Sequence, residues 1–150
     1  MHVLKAAHEP GRVVVTVETD QVLTGCPACG VVAVGHGRRE HRRADAPLFG
    51  TPVLVVWRKR TWCCPDPGCP VVTFSEVHDL AAARAKLTGR AICWATDALV
   101  MDDTTVAALA RHLGVDWHTC WDAIETEATI RLADSDRPAG VATLGVDEHI

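Results

Sequence analysis

CPACG, residues 26–30, and WCCPDPGCP, residues 62–70, decide how this chain folds. Cys26 and Cys29 are spaced C-x-x-C, with Pro27 and Gly30 supporting a tight turn, and Cys64 and Cys69 form a second pair across PDPG. Structural zinc takes four ligands in a tetrahedron, and two turns presenting paired thiolates supply that geometry. A bound metal also supplements a small strand-rich core that stands poorly alone. Residues 1–79 therefore read as a zinc ribbon with an N-terminal strand, its ligands Cys26, Cys29, Cys64 and Cys69, its cofactor one structural Zn2+.

Cys63 competes with Cys64 for the third position. Cys64 puts both thiols of its pair on the rims of the proline-rich turn, whereas Cys63 points to the opposite face of a strand. Small buried hydrophobes are the plain alternative for all these thiols. A thioredoxin-like redox pair is another, but no βαβ pattern surrounds Cys26. Cys93 and Cys120 fall at apolar positions of expected helices and read as core residues.

The chain has 150 residues, 48% hydrophobic and 23% charged, an ordinary globular composition. No apolar run approaches the ~20 residues of a membrane helix, and MHVLKAAHEPGR lacks the apolar stretch of a secretory signal. The expected compartment is the cytoplasm, and seven cysteines there point to metal ligands or core positions rather than disulfides. Net charge is −4, but residues 35–60 are net +5, carrying Arg38, Arg39, Arg42, Arg43, Arg58, Lys59 and Arg60. Such a cluster suits a polyanion, and these seven are the candidate phosphate contacts. The plain alternative is a solvated charged face.

Residues 11–25 and 51–64 read as strands, rich in Val, Thr and aromatics, and VVTFSE as one more. Between them, CPACGVVAVGHGRREHRR reads as Gly turns and a basic run. From about residue 76 the texture becomes helical. Residues 80–102 form one expected helix, interrupted at Gly89. A second follows a cap at Asp103 or Thr104, with Val106, Leu109, Ala110 and Leu113 at helical spacing. Gly114 suits its C-terminal stop, and a third helix begins with Asp116 as N-cap. Residues 80–131 are thus a helical domain with a helix-turn-helix at 104–124, whose second helix offers Trp117, His118 and Thr119 to base edges, with Arg111 nearby. An ordinary helical hairpin is the alternative, and Trp117 and Trp121 then serve a core or an interface. Asp122, Glu125 and Glu127 on that helix oppose phosphate contact. Residues 132–150 read as an acidic linker and a last strand.

The ordered set of CPACG, GRREHRR, WCCPDPGCP…TFSE, LARHLGVDWHTCWDAI and LGVDEH resembles the N-terminal part of a bacterial insertion-sequence transposase of the ISL-three type. The resemblance implies an α+β chain: a small β zinc ribbon, a helix-turn-helix module, and a strand remnant of a ribonuclease-H-like catalytic domain. It implies binding of double-stranded DNA at the transposon's terminal repeats. It also implies a chemistry of three carboxylates holding two divalent ions such as Mg2+ in the intact enzyme, with Asp147 as the first. Two carboxylates lie downstream in that family, so the chain reads as truncated and inactive in transposition alone. A regulatory protein that forms homodimers, or dimerises with a full-length transposase, is the alternative. A hydrolase built on Asp147, Glu148 and His149 fails, because adjacent strand residues cannot all face one site.

Overall fold

The run of β-branched Val and Thr in RVVVTVE suits a pleated, half-buried surface, and β2 (Arg12–Glu18) forms there. The chain enters it through a turn at Gly11, φ 77°, from β1 (His2–Glu9), which pairs antiparallel with it. The computed structural model describes residues 1–133, 140–143 and 145.

β3 (Val34–Leu48) and β4 (Thr51–Cys63) make a long antiparallel hairpin. Its turn residues, Phe49 and Gly50, have φ of 47° and 75°. Two left-handed residues match the right-handed twist of the flanking strands. β4 also pairs in parallel with β2, from Val13↔Val53 to Val17↔Trp57, and its last residues pair with β5 (Thr73–Ser75). The sheet order is β1-β2-β4-β3, with β5 beside β4. One face buries Val17, Val53, Val55 and Trp57, with Leu80 packed against them.

β3 overturns the expectation of turns and a basic run over 31–43. Gly35, Gly37 and four arginines have weak strand preference, but the ladder to β4 runs from Leu48↔Thr51 to Val34↔Cys63. Tertiary pairing overrides local propensity there.

Three helices follow: α1 (Gly89–Met101), α2 (Val106–Leu113) and α3 (Trp117–Leu132). Ala91, Ala95 and Ala98 of α1, Leu109, Ala110 and Leu113 of α2, and Cys120 and Ile124 of α3 share one core, joined by Leu87 and by Ala44 of β3. The small alanines let the helices approach closely.

Several boundaries differ from expectation. α1 begins at Gly89 rather than near residue 80, because the Thr88 hydroxyl accepts from the Ala91 amide. Residues 80–85 run instead through turns, with Arg84 at φ 63°, and only Lys86–Thr88 meet the edge of β3, where the Ala44 amide donates to Lys86 O and the Thr88 amide to Ala44 O, both at 2.9 Å. The cap of α2 is Thr105, not Asp103 or Thr104. Cys120 is buried as expected, but Cys93 is exposed, since it lies off the alanine stripe of α1. Of the expected last strand, only 141–143 and 145 are described, and none is in a strand. Asp147, Glu148 and His149 lie outside the described residues.

Candidate metal centre and nucleic-acid interface

The hairpin register builds the metal centre. Val34 and Cys63 are paired, so the loop before β3 meets the loop after β4. In the first loop the Gly30 amide donates to Cys26 O at 2.9 Å and the Cys26 amide to Val31 O at 2.8 Å. Gly30 takes φ 75°, a conformation open to glycine at no steric cost. In the second, the Gly68 amide donates to Asp66 Oδ1 at 2.9 Å and the Cys69 amide to Asp66 O at 3.2 Å.

The Sγ atoms of Cys26, Cys29, Cys64 and Cys69 all lie within 4.8 Å of one another. Cys26 to Cys69 is 3.7 Å and Cys29 to Cys64 is 3.6 Å. A tetrahedron with Zn–S bonds of about 2.3 Å has edges of about 3.8 Å, whereas a disulfide needs about 2.05 Å. The spacing is that of a four-thiolate metal site. Amide N–H groups of Ala28 and Cys29 pull the Cys26 thiol down to about 7. The Asp66 amide acts the same way on Cys64, but burial and the neighbouring thiols prevail and push it up to about 12. Four thiols this close cannot all carry charge without a cation among them. A structural metal fits this donor set. Cys63 stays outside, its thiol 3.5 Å from Cys64 O.

The seven basic residues divide into two groups. Glu18, at the end of β2 and buried, gathers three of them. Arg38 Nη2 donates to Oε1 at 2.9 Å, and its Nε is ion-paired with Oε2 at 2.8 Å. Arg60 Nη2 donates to Oε1 at 2.7 Å, and Arg58 Nη1 stands 3.8 Å from Oε2. The hydrogen bond from Arg38 holds the Glu18 carboxyl below the usual range, against its desolvation and with help from the charges of Arg60 and Arg58. Glu76 completes the cluster by accepting from the Arg60 amide at 2.8 Å and from the Thr19 hydroxyl.

Arg39, Lys59 and Arg42 make no such pair among the described contacts. Arg39 faces Lys59 across the ladder, and Lys59 Nζ lies 4.7 Å from the Trp57 ring centre. His41, opposite Trp57, is held below its usual pKa by burial and by Arg43, Lys59 and Arg39. Arg43 is half-buried, its Nη1 bonded to Arg42 O.

α2 and α3 are joined through Gly114, φ 67°, whose N–H reaches back to Ala110 O and Arg111 O. Asp116 caps α3, accepting from the Thr119 amide at 2.8 Å and its hydroxyl at 2.6 Å. Lys86 donates to the same hydroxyl at 2.9 Å. Thr119 is therefore buried in a cap network rather than presented to solvent. Trp117, His118 and Arg111 are exposed, and Trp117 stacks on half-buried Trp121 with ring centres 5.9 Å apart.

Comparison with known families assigns part of this geometry. Residues 23–69 match the zinc-finger of transposase IS204/IS1001/IS1096/IS1165. The match runs from the first knuckle to the last thiol of the cluster and takes in the whole basic hairpin. No curated protein and no solved structure matches the chain. No helix among the described residues is long and apolar enough to cross a membrane.

Residue-by-residue reading of the sequence missed Glu18, Asp45 and Phe49. Glu18 carries a faint signal, a carboxylate closing a run of Val and Thr. Its arginine partners are 20 to 42 residues away and are found only through the sheet.

Proposed function

We propose that this chain is the DNA-binding N-terminal region of an insertion-sequence transposase of the ISL-three type, recognising the ends of the mobile element. The carrying observation is the transposase zinc-finger match over 23–69, coinciding with four converged thiols and a basic hairpin. One structural zinc ties the two knuckles together through Cys26, Cys29, Cys64 and Cys69. It thereby fixes the hairpin that carries Arg39, Arg42 and Lys59 toward phosphates. The α2–turn–α3 unit acts as a helix-turn-helix, with Trp117 and His118 at the exposed start of α3 toward bases and Arg111 toward the backbone. Arg38, Arg58 and Arg60 support the strand by holding Glu18. Asp147 remains the proposed first carboxylate of the family's catalytic set, and one carboxylate cannot hold two divalent ions.

A gel shift tests this reading with a duplex of the element's terminal repeat against a random duplex at matched salt. Tighter binding to the repeat supports it, and equal binding removes the sequence-specific part.

A second reading, a zinc-stabilised regulator that dimerises with itself or with an intact transposase, draws on exposed Trp117, stacked on half-buried Trp121, beside the acidic Asp122, Glu125 and Glu127. Aromatic residues of this kind are enriched at protein interfaces. A zinc-loaded chain that binds no duplex but sediments as a dimer favours it.

A further inference from the structure

The tip of the β3–β4 hairpin carries a feature that neither the metal centre nor the basic face uses. Phe49 is 99% exposed, and Leu48 beside it is 49% exposed. Phe49 also sits at φ 47°, a left-handed conformation that disfavours a bulky residue and suits Gly or Asn. The fold gains no burial from the ring and accepts strain to hold it.

The tip's surroundings bear on its use. Pro52, three residues beyond Phe49, lies so close to Gly114 that a Cβ added there would stand 3.3 Å from the Pro52 Cβ. The hairpin tip therefore flanks the α2–α3 turn. On the α2 side of that turn are exposed Arg111 and His112, and on the other the exposed Trp117 and His118. An apolar tip beside such a turn, which carries the Arg111 guanidinium and exposed ring-bearing side chains as well as the Asp116 carboxylate that caps α3, resembles how architectural proteins wedge DNA. Apolar side chains, Phe among them, enter between base steps from the minor groove and unstack them, while neighbouring cations hold the phosphates.

We propose that the β3–β4 tip is a wing whose Phe49 ring wedges between base pairs in the minor groove of a duplex, next to the groove that α3 enters. This rests on the DNA-binding reading above and adds to it a deformation of the duplex. An unstacked step bends the DNA, so the wedge also makes easily kinked pyrimidine–purine steps the preferred target at the tip.

The test uses the full zinc-loaded chain and a duplex selected by the wild type from a library with a randomised 20-bp centre. End-labelled for energy transfer, the duplex reports affinity and bending together. Phe49→Ala and Phe49→Gly are compared with wild type, because glycine relieves the strained φ and keeps the fold at least as stable. The wedge predicts roughly tenfold weaker binding and loss of the bend in both variants, with unlowered melting temperature. Wild-type affinity and bend in both variants overturn it. So does a loss confined to self-association in sizing, which assigns the tip to a second copy of the chain. If the wild type selects no duplex at all, the DNA-binding reading falls and takes the wedge with it. If it does and Phe49 is indifferent, only the wedge falls.

Discussion

Asp45 of β3 and Arg90 of α1 form the joint between the sheet and the helices. The Asp45 carboxylate is fully buried. Arg90 Nε donates to its Oδ1 at 2.7 Å, Arg90 Nη2 donates to Oδ2, and the Thr88 hydroxyl donates to Oδ1. Arg90 itself is largely in solvent. The pair is asymmetric: the acid depends on the base more than the base on the acid.

That asymmetry predicts unequal mutants. Arg90→Met leaves a buried carboxylate with only neutral partners, a change expected to cost about 3 kcal/mol. Asp45→Asn keeps an acceptor for Thr88 and frees an arginine that water can solvate, so about 1 kcal/mol is expected. Chemical denaturation of both variants checks the order. Equal losses would mean that the joint does not depend on the charge.

The same carboxylate gives an acid dependence. Burial acts to raise the Asp45 pKa, but the bonds from Arg90, Thr88 and the Ala46 amide outweigh it and leave it below the usual value. A depressed pKa contributes stability that is present above the unfolded value of about 3.9 and is lost as pH falls through the folded one. Wild-type melting temperature should therefore drop in acid below about pH 4, and Asp45→Asn should flatten this part of the profile.

The metal centre separates adjacent cysteines. Cys64→Ser should lose the single zinc ion and lower the melting temperature by several degrees, while Cys63→Ser should keep it. Metal content of the purified proteins by mass spectrometry reads both. Zinc retained in Cys64→Ser and lost in Cys63→Ser would reverse the assignment.

The basic hairpin should divide along its pairing. Arg39→Ala, Arg42→Ala and Lys59→Ala should each lower duplex affinity and reduce the salt dependence by roughly one phosphate contact, at unchanged melting temperature for the two arginines. Arg60→Ala removes a partner of buried Glu18 and should act first on stability. Affinity measured across salt, beside thermal melts, separates the groups.

His41 offers a reporter on this face. Burial and the surrounding cations Arg43, Lys59 and Arg39 hold its pKa down. A phosphate bound among those cations offsets their charge and favours the protonated ring. Its pKa, followed by NMR, should rise on adding duplex, and an unmoved His41 would argue against phosphates bound beside it.

The readable features were local ones. C-x-x-C beside glycine, a cap three residues before its amide at Asp116, and Leu109, Ala110 and Leu113 on one helical stripe each depend on spacing within a turn or two. The same kind of reasoning failed for β3, whose glycines and arginines look like a loop, and for residues 80–88, whose alanines look like a helix. The first yields to its partner strand β4, while residues 80–88 run through turns and meet the edge of β3 only at Lys86–Thr88.

The sequence by itself determined that two thiol pairs would flank a basic segment and that helices would follow, because turn geometry and helical periodicity act over a few residues. Only the tertiary structure decided which arginines hold Glu18, that Asp45 would be sealed by Arg90, and that Phe49 would stand free at a hairpin tip beside Gly114. Those outcomes depend on strand register, which is fixed by the summed burial and pairing of residues far apart in the chain.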